Sequence, residues 1–253
     1  MNSIEKTWRL FLKEIIVNGE KHEKDDGDII YESMINHAFI PSVLKQYGNQ
    51  NIPIDMFLKM VKDGVFNIEG YPVKDLALYD YVKSLDDKEI RANKNFSTGE
   101  DKFTYTYPNR IFHMTDRDSD FFVNQFALMV NRLTPLKKRD DGDGLMYWSG
   151  SNRAVANIYS APKDCDMKDI PCLQILQATV RRDRLVLHCY FRSNDCYGAF
   201  PSNMLFLMYF GLKLVDCLKR WYPSLVFEGV SYNSSSLHVY EGDLVQARSV
   251  LGL

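Results

Sequence analysis

Chemistry in this sequence is concentrated in four short segments that follow one another along the chain. They are Asn152-Arg153-Ala154-Val155, then Pro171-Cys172-Leu173-Gln174, then Arg192-Ser193-Asn194-Asp195 with Asn203 downstream, then Leu237-His238-Val239-Tyr240. Cys172 is the candidate nucleophile. It follows a proline at the start of an expected strand. A buried cysteine ordinarily acts as a small hydrophobe. A reactive one needs partial exposure and nearby positive charge, which favours the thiolate. Arg192 ends a strand expected to pair with the one that Cys172 begins, so it can supply that charge. Its guanidinium fork also suits phosphate oxygens, the plain alternative being a surface ion pair. His238 and Tyr240 lie two apart, which in a strand puts both on one side.

Taken together and in order, the cysteine, the RSND segment, the asparagine eleven residues after Arg192 and the His-x-Tyr pair resemble the thymidylate synthase family. The resemblance runs from about Phe121 to Leu251. FRSND with its later Pro-x-Asn is similar to the archaeal-type synthases and the pyrimidine nucleotide hydroxymethylases. SLHVY resembles the phage-type hydroxymethylases.

The resemblance implies an α/β (α+β) fold, a mixed sheet with flanking helices, in a single domain over residues 1–253. It implies a homodimer joined through sheet faces. The reaction implied is one-carbon transfer from 5,10-methylenetetrahydrofolate to C5 of a pyrimidine nucleotide monophosphate. Addition of the Cys172 thiolate at C6 makes C5 nucleophilic and splits one hard step into easier ones. Carried over residue by residue, Cys172 is catalytic, and Asp195 serves a folate and pyrimidine network. Arg192 and Ser193 grip the phosphate, and Arg153 reaches the phosphate of the neighbouring subunit. Asn203 reads the pyrimidine edge, and His238 with Tyr240 binds the sugar 3′-hydroxyl. Tyr107, in YTYPNRI, matches a tyrosine near the base. Two products stay open. Hydride transfer gives a methyl group, and capture by water gives hydroxymethyl. Asn203 favours uracil, and so methylation of dUMP, because cytosine-specific hydroxymethylases carry aspartate there. Hydroxymethylation of dUMP, dCMP or CMP is the alternative. A nucleotide-binding paralogue without catalysis is the reading from another class.

Three departures bear on these expectations. The family carries a glutamate as general acid/base on an early helix; the matching segment, Met56 to Gly64, has Phe57 there, with Asp55 and Glu69 as nearby carboxylates. The loss of a proton shuttle costs about 10²- to 10⁴-fold. The usual phosphate-loop arginine is missing from the acidic run Glu20 to Asp28, which offers only Lys21 and Lys24, and Asn152 stands where a second arginine is usual. Thirteen residues follow Tyr240. Such a short tail excludes water less completely, which points toward hydroxymethylation.

The elements that must position these residues follow from periodicity and turn residues. Helices are expected over Trp8–Val17, Asp55–Lys62 (after Pro53, before Gly64), Pro72–Leu85, Asp118–Leu133 and Asn203–Tyr222. A closing helix is expected over Asp243–Leu251 with Asp243 as its cap. Strands are expected over Ile29–Ile40, Arg153–Tyr159, Leu173–Val180, Leu185–Phe191, Leu225–Val230 and Leu237–Tyr240, with Arg182-Asp183 as a tight connection. Asn18–Asp28, Asp86–Lys102 and Leu136–Gly144 read as loops.

With 253 residues, 45% hydrophobic and 25% charged, the chain can bury a sizeable core. A net charge of -2 gives no footprint for a nucleic acid polymer. No apolar run suits a membrane span or a signal peptide. Five cysteines without a disulfide framework or a CxxC pair point to a reduced, cytoplasmic setting and to no metal site.

Overall fold

The computed structural model describes residues 1–47, 52–72, 106–115, 122–135, 152–167 and 170–253. The helix expected over 72–85 and the loops expected over 86–102 and 136–144 lie essentially outside them. Helix α1 (Ser3–Asn18) starts at Asn2, whose side-chain oxygen accepts the Glu5 N–H. It buries Ile4, Trp8, Phe11, Leu12 and Ile15, one stripe at helical spacing.

Strands β1 (Glu20–Glu23) and β2 (Ile29–Ser33) form an antiparallel pair where a loop was expected before Ile29. All four β1 side chains are exposed. Backbone pairing rather than burial makes it a strand, so its side chains give no alternation to read. The single strand expected over 29–40 is two, because β3 (His37–Pro41) belongs to another sheet.

Helix α2 (Ile54–Lys62) follows Pro53 and stops before Gly64, at φ +73°. Next come α3 (Tyr107–Phe112), β4 (Met114–Thr115), β5 (Phe122–Val123) and α4 (Gln125–Leu133). The helix expected from 118 therefore begins at 125, where Asn124 caps it, and Phe122 pairs with Thr115 instead. Strand β6 (Val155–Asn157) is shorter than expected, and α5 (Ala161–Asp164) follows. A buried bidentate pair joins Arg110 of α3 to Asp164 of α5 at 2.5 and 3.2 Å.

The second half runs β7 (Leu173–Arg181), β8 (Arg184–Phe191), β9 (Asn194–Asp195), α6 (Phe200–Leu218), β10 (Val226–Ser234), β11 (Leu237–Tyr240) and α7 (Leu244–Leu251). Helix α6 begins three residues before the expected Asn203, since Pro201 suits a first turn. Asp243 precedes α7, but its side chain makes no capping bond.

One mixed sheet has the order β1-β2-β11-β9 and the other β3-β10-β8-β7-β6. They meet at a joint. β2 and β3 break at 34–36, β8 and β9 at 192–193, and β10 and β11 at 235–236. Strands that are neighbours on one side of the break stay neighbours on the other. β8 and β10 run parallel and are joined by the crossover helix α6. α6 is buried along most of its length, and a Cβ on Gly211 would come within 2.2 Å of the Phe227 ring. No described helix is long and apolar enough to cross a membrane.

The face of the larger sheet away from this core carries one continuous row. Pairing sets Phe39 beside Ser231, Ser231 beside His188, His188 beside Gln177, and Gln177 beside Val155. Phe39, Tyr190 and Ile175 are 49%, 38% and 36% exposed on these strands.

The β7–β8 connection gives a stability prediction. Arg182 and Asp183 both have positive φ, +46° and +59°, as a two-residue hairpin turn demands; aspartate tolerates this less well than glycine, and arginine does not favour it. Replacing them together, Arg182→Asn with Asp183→Gly, is expected to stabilise the fold by about 1–2 kcal/mol. The expected rise in Tm, read by calorimetry, is about 2–8 °C. No rise would show that this turn holds no strain.

Candidate active site

The hairpin β7–β8 brings Cys172 to Arg192. From Arg181↔Arg184 to Ile175↔Tyr190 the register is regular, and it shifts by one residue between Ile175 and Leu173, so that Leu173 faces Phe191. This bulge re-aims the start of β7. Regular pairing would set Cys172 against Ser193; with the bulge the Arg192 N–H donates to the Cys172 carbonyl at 2.8 Å. The Arg192 guanidinium donates to the Pro171 and Ile170 carbonyls at 3.2 and 2.7 Å, so its charge lies on the peptide that leads into Cys172. The Gln174 amide also donates to the Pro171 carbonyl.

Cys172 is half-buried at the edge of the core. Cys189 and Cys196 are sealed, and burial pushes both thiols up, which keeps them protonated. Tyr107, one residue past the Thr106 cap of α3, accepts the Leu173 N–H on its phenol oxygen at 3.4 Å. It therefore stands beside Cys172, and the Arg110–Asp164 pair one turn along fixes the helix that carries it. Ser193 is half-buried between Arg192 and β9.

Past the joint, β9 pairs with β11 so that Asp195 lies beside His238. His238 is 3% exposed, its Nδ1 is 3.2 Å from Ser236 Oγ, and its Nε2 has no hydrogen-bond partner among the described residues. Burial, with a smaller push from Lys24, brings its pKa down to about 4, so the ring is neutral at pH 7. The Tyr240 ring stands at 90° to it, 5.1 Å away. Lys24, from the turn after β1, reaches the Tyr240 hydroxyl at 3.4 Å while pairing with Asp26 and Asp28. Lys21 goes to Glu241 instead.

Asp195 accepts the N–H groups of Tyr197 and Gly198, both on Oδ1 at 3.0 Å. Burial nevertheless pushes its carboxyl up to about 6, against those bonds and with help from Asp243. The rings of Trp8, Tyr71 and Tyr197 gather beside it, and Tyr71 donates to the Gly198 carbonyl at 3.0 Å. Asn203, in the first turn of α6, donates to Asn194 at 3.0 Å.

Four positions singled out in the sequence lie elsewhere. Ala154 accepts from Ala178, six residues along β7 from Cys172, so Arg153 is roughly 20 Å from the thiol of its own chain at ~3.3 Å per residue. Phe57 is fully buried against Phe66, and Asp55 is exposed with its charge felt by Tyr209 of α6. Glu69 is exposed, its carbonyl taken by Arg9. Sequence reasoning missed Asn194, Tyr71 and Tyr232. Asn194 sits inside the RSND segment, but nothing in its type separates it from its neighbours.

Asp195 and His238 pull stability in opposite directions with pH. His238, lowered from 6.5, contributes stability fully above pH 6.5 and loses it as pH falls toward 4. Asp195, raised from 3.8, contributes below about pH 4 and loses it as pH rises through 6. Asp195→Asn keeps the backbone acceptor and removes the charge. It is expected to stabilise the fold by roughly 1–3 kcal/mol at pH 7.5 and to leave it nearly unchanged at pH 4. Urea unfolding at the two pH values reads this, and an equal effect at both would show that the charge carries no such penalty.

No family model matches the chain. It is similar to several archaeal proteins named "putative thymidylate synthase". One from Methanocaldococcus jannaschii is 25% identical over 218 residues, 81% of this chain and 85% of that protein. One from Methanothermobacter thermautotrophicus is 24% identical over 99% of this chain and 96% of its own length. One from Methanopyrus kandleri is 25% identical over 96% and 92%. Spread over nearly the whole length of both partners, this likeness makes the chain similar to a thymidylate synthase-like family.

Proposed function

We propose that this protein transfers a one-carbon unit to C5 of a pyrimidine deoxynucleotide monophosphate, with dUMP as substrate and a methyl group as product. The observation that carries the reading is the Arg192 guanidinium laid on the Ile170–Pro171 peptide beside a half-buried Cys172. Positive charge there favours the thiolate. The thiolate sulfur bonds C6 of the pyrimidine, electron density moves to C5, and the thiol leaves by elimination once C5 is substituted. Arg192 and Ser193 hold the phosphate. Asn203 pairs with the base edge, and Tyr107 lies near the ring. The buried Nε2 of His238, which no described residue satisfies, and the Tyr240 hydroxyl take the sugar 3′-hydroxyl.

The one-carbon donor, 5,10-methylenetetrahydrofolate, suits the Asp195 side. There three aromatic rings stand by a carboxyl whose Oδ2 accepts no bond from a described residue. When bound it would supply the electrophilic carbon and, for a methyl product, the hydride that reduces it. Asp195, titrating near pH 6, is the carboxyl tuned to exchange a proton where Phe57 replaces the usual glutamate. Hydroxymethylation of dUMP, dCMP or CMP uses the same residues up to the final capture step.

A second reading, a nucleotide-binding paralogue without turnover, is favoured by the buried Phe57 and by Lys24 being held by two aspartates. Incubation with 5-fluoro-dUMP and methylenetetrahydrofolate separates the two. Catalysis predicts a covalent adduct by mass spectrometry that Cys172→Ala abolishes, with Asp195→Asn slowing turnover about 10²- to 10⁴-fold. Nucleotide binding without adduct would sink the catalytic reading.

The homodimer belongs to the same proposal. The half-exposed face with Phe39, Ile175 and Tyr190 pairs with its copy, which would let Arg153 complete the neighbour's phosphate site. Ile175→Lys is expected to give monomers by analytical ultracentrifugation and to lose activity. Mixing Arg153→Ala with Cys172→Ala protein is expected to restore part of it. A fully active monomer would overturn the arrangement.

A further inference from the structure

Asn203 and Asn194 are both amides, and an amide can be turned end for end without a change of shape. Their hydrogen bonds run in one order into the buried joint between β10 and β11. The carbonyl of Ser236, at the joint between β10 and β11, can only accept. It takes the Asn194 N–H and the Ser234 hydroxyl, each at 2.8 Å. Tyr232, two residues before Ser234 on the same face of β10, accepts on its phenol oxygen from Asn194 Nδ2 at 3.0 Å. Asn194 Oδ1 therefore faces Asn203 and accepts from its Nδ2 at 3.0 Å. Asn194, Tyr232 and Ser234 are buried, with Ser234 fully inaccessible and the other two 2% exposed, so water does not compete for these bonds.

We infer that Asn194, through this one-way chain, is the positioning residue that makes the site choose between uracil and cytosine. The inference rests on the function proposed above. Uracil presents an acceptor at position 4 and a donor at position 3; cytosine presents the reverse. A freely turning Asn203 could match either base by rotating its amide. Held by Asn194, it keeps one N–H and its carbonyl oxygen toward the substrate in a single order. Asn203 Oδ1 bonds to no described residue and is left for the ligand. Turning it would bring two carbonyl oxygens together and strand a buried acceptor. The wrong base then meets donor with donor and acceptor with acceptor. Sites built to hydrogen-bond a substrate discriminate strongly for this reason.

The test is calorimetric binding of dUMP and dCMP to the full chain. The wild type is expected to bind dUMP at least about 100-fold more tightly than dCMP. Asn194→Leu, which removes the fixed acceptor at similar volume, is expected to compress that ratio to below about tenfold. Tyr232→Phe removes only the acceptor that orients Asn194 and is expected to compress it partway; it decides the matter if Asn194→Leu does not fold. A ratio unchanged in the folded variant, with both affinities falling together, overturns the role of Asn194 and leaves the proposed function standing. A wild type that binds neither nucleotide sinks the proposed function itself.

Discussion

Three neighbouring strands stop and restart at one level, and the backbone bonds that cross this break hold the rest in place. The Ser236 carbonyl takes the Asn194 N–H, Ser235 donates to Phe191, Cys196 donates to His238, and Ser234 donates to Asn36. None of the residues in the gaps has a regular ladder partner. Asn36, Arg192, Ser235 and Ser236 bond instead to residues in or beside the adjoining strands, as buried backbone groups must find partners. The break turns residues that continuous strands would have carried past the site into its lining. Arg192, Ser193 and Asn194 all lie at it, and His238 and Tyr240 follow within six residues.

Charge is used sparingly around this joint. Arg192 is anchored by two carbonyl oxygens and needs no carboxylate partner, so a nearby anion would meet a cation already oriented. His238 is kept neutral by burial, and Asp195 is lifted toward neutrality by the same cause. Both conditions work against stability at neutral pH or in mild acid, as expected if the proposed site is arranged for a ligand rather than for the fold. The Arg110–Asp164 pair is the contrast. It is buried, bidentate and also bonded to the Ser160 N–H, and it serves the packing of α3.

Much of this was legible in the sequence because periodicity reports burial. The spacing of Trp8, Leu12 and Ile15 marked the first helix, though not its start at Ser3, the apolar run marked α6, and the alternation from 173 to 191 marked the hairpin that joins Cys172 to Arg192. What stayed hidden has no burial signature. β1 is exposed throughout and exists only by pairing. The bulge at 173–175 shifts the register by one residue without any glycine to mark it. The split of 29–40 into two strands depends on where the partner β10–β11 breaks, a long-range event. The same holds for site residues. His238 and Tyr240 were readable from their spacing, whereas Asn194 gains its role only from Tyr232 and Ser236, about forty residues away.

Helix α1 has a further consequence. Its Trp8 indole donates to the Cys196 carbonyl at 2.7 Å, its Phe11 packs on Phe200 and Tyr232, and its Arg9 donates to the Val250 carbonyl. During synthesis on the ribosome the apolar stripe of α1 meets β2, β3 and Tyr71 early, but these later partners emerge about 190 residues on, on the order of 10–40 s at typical elongation rates. Through that interval the nascent chain presents tryptophan, phenylalanine and leucine to the cell. Chaperone demand should therefore concentrate on helix α1, well before the candidate site residues from Cys172 onward have been made.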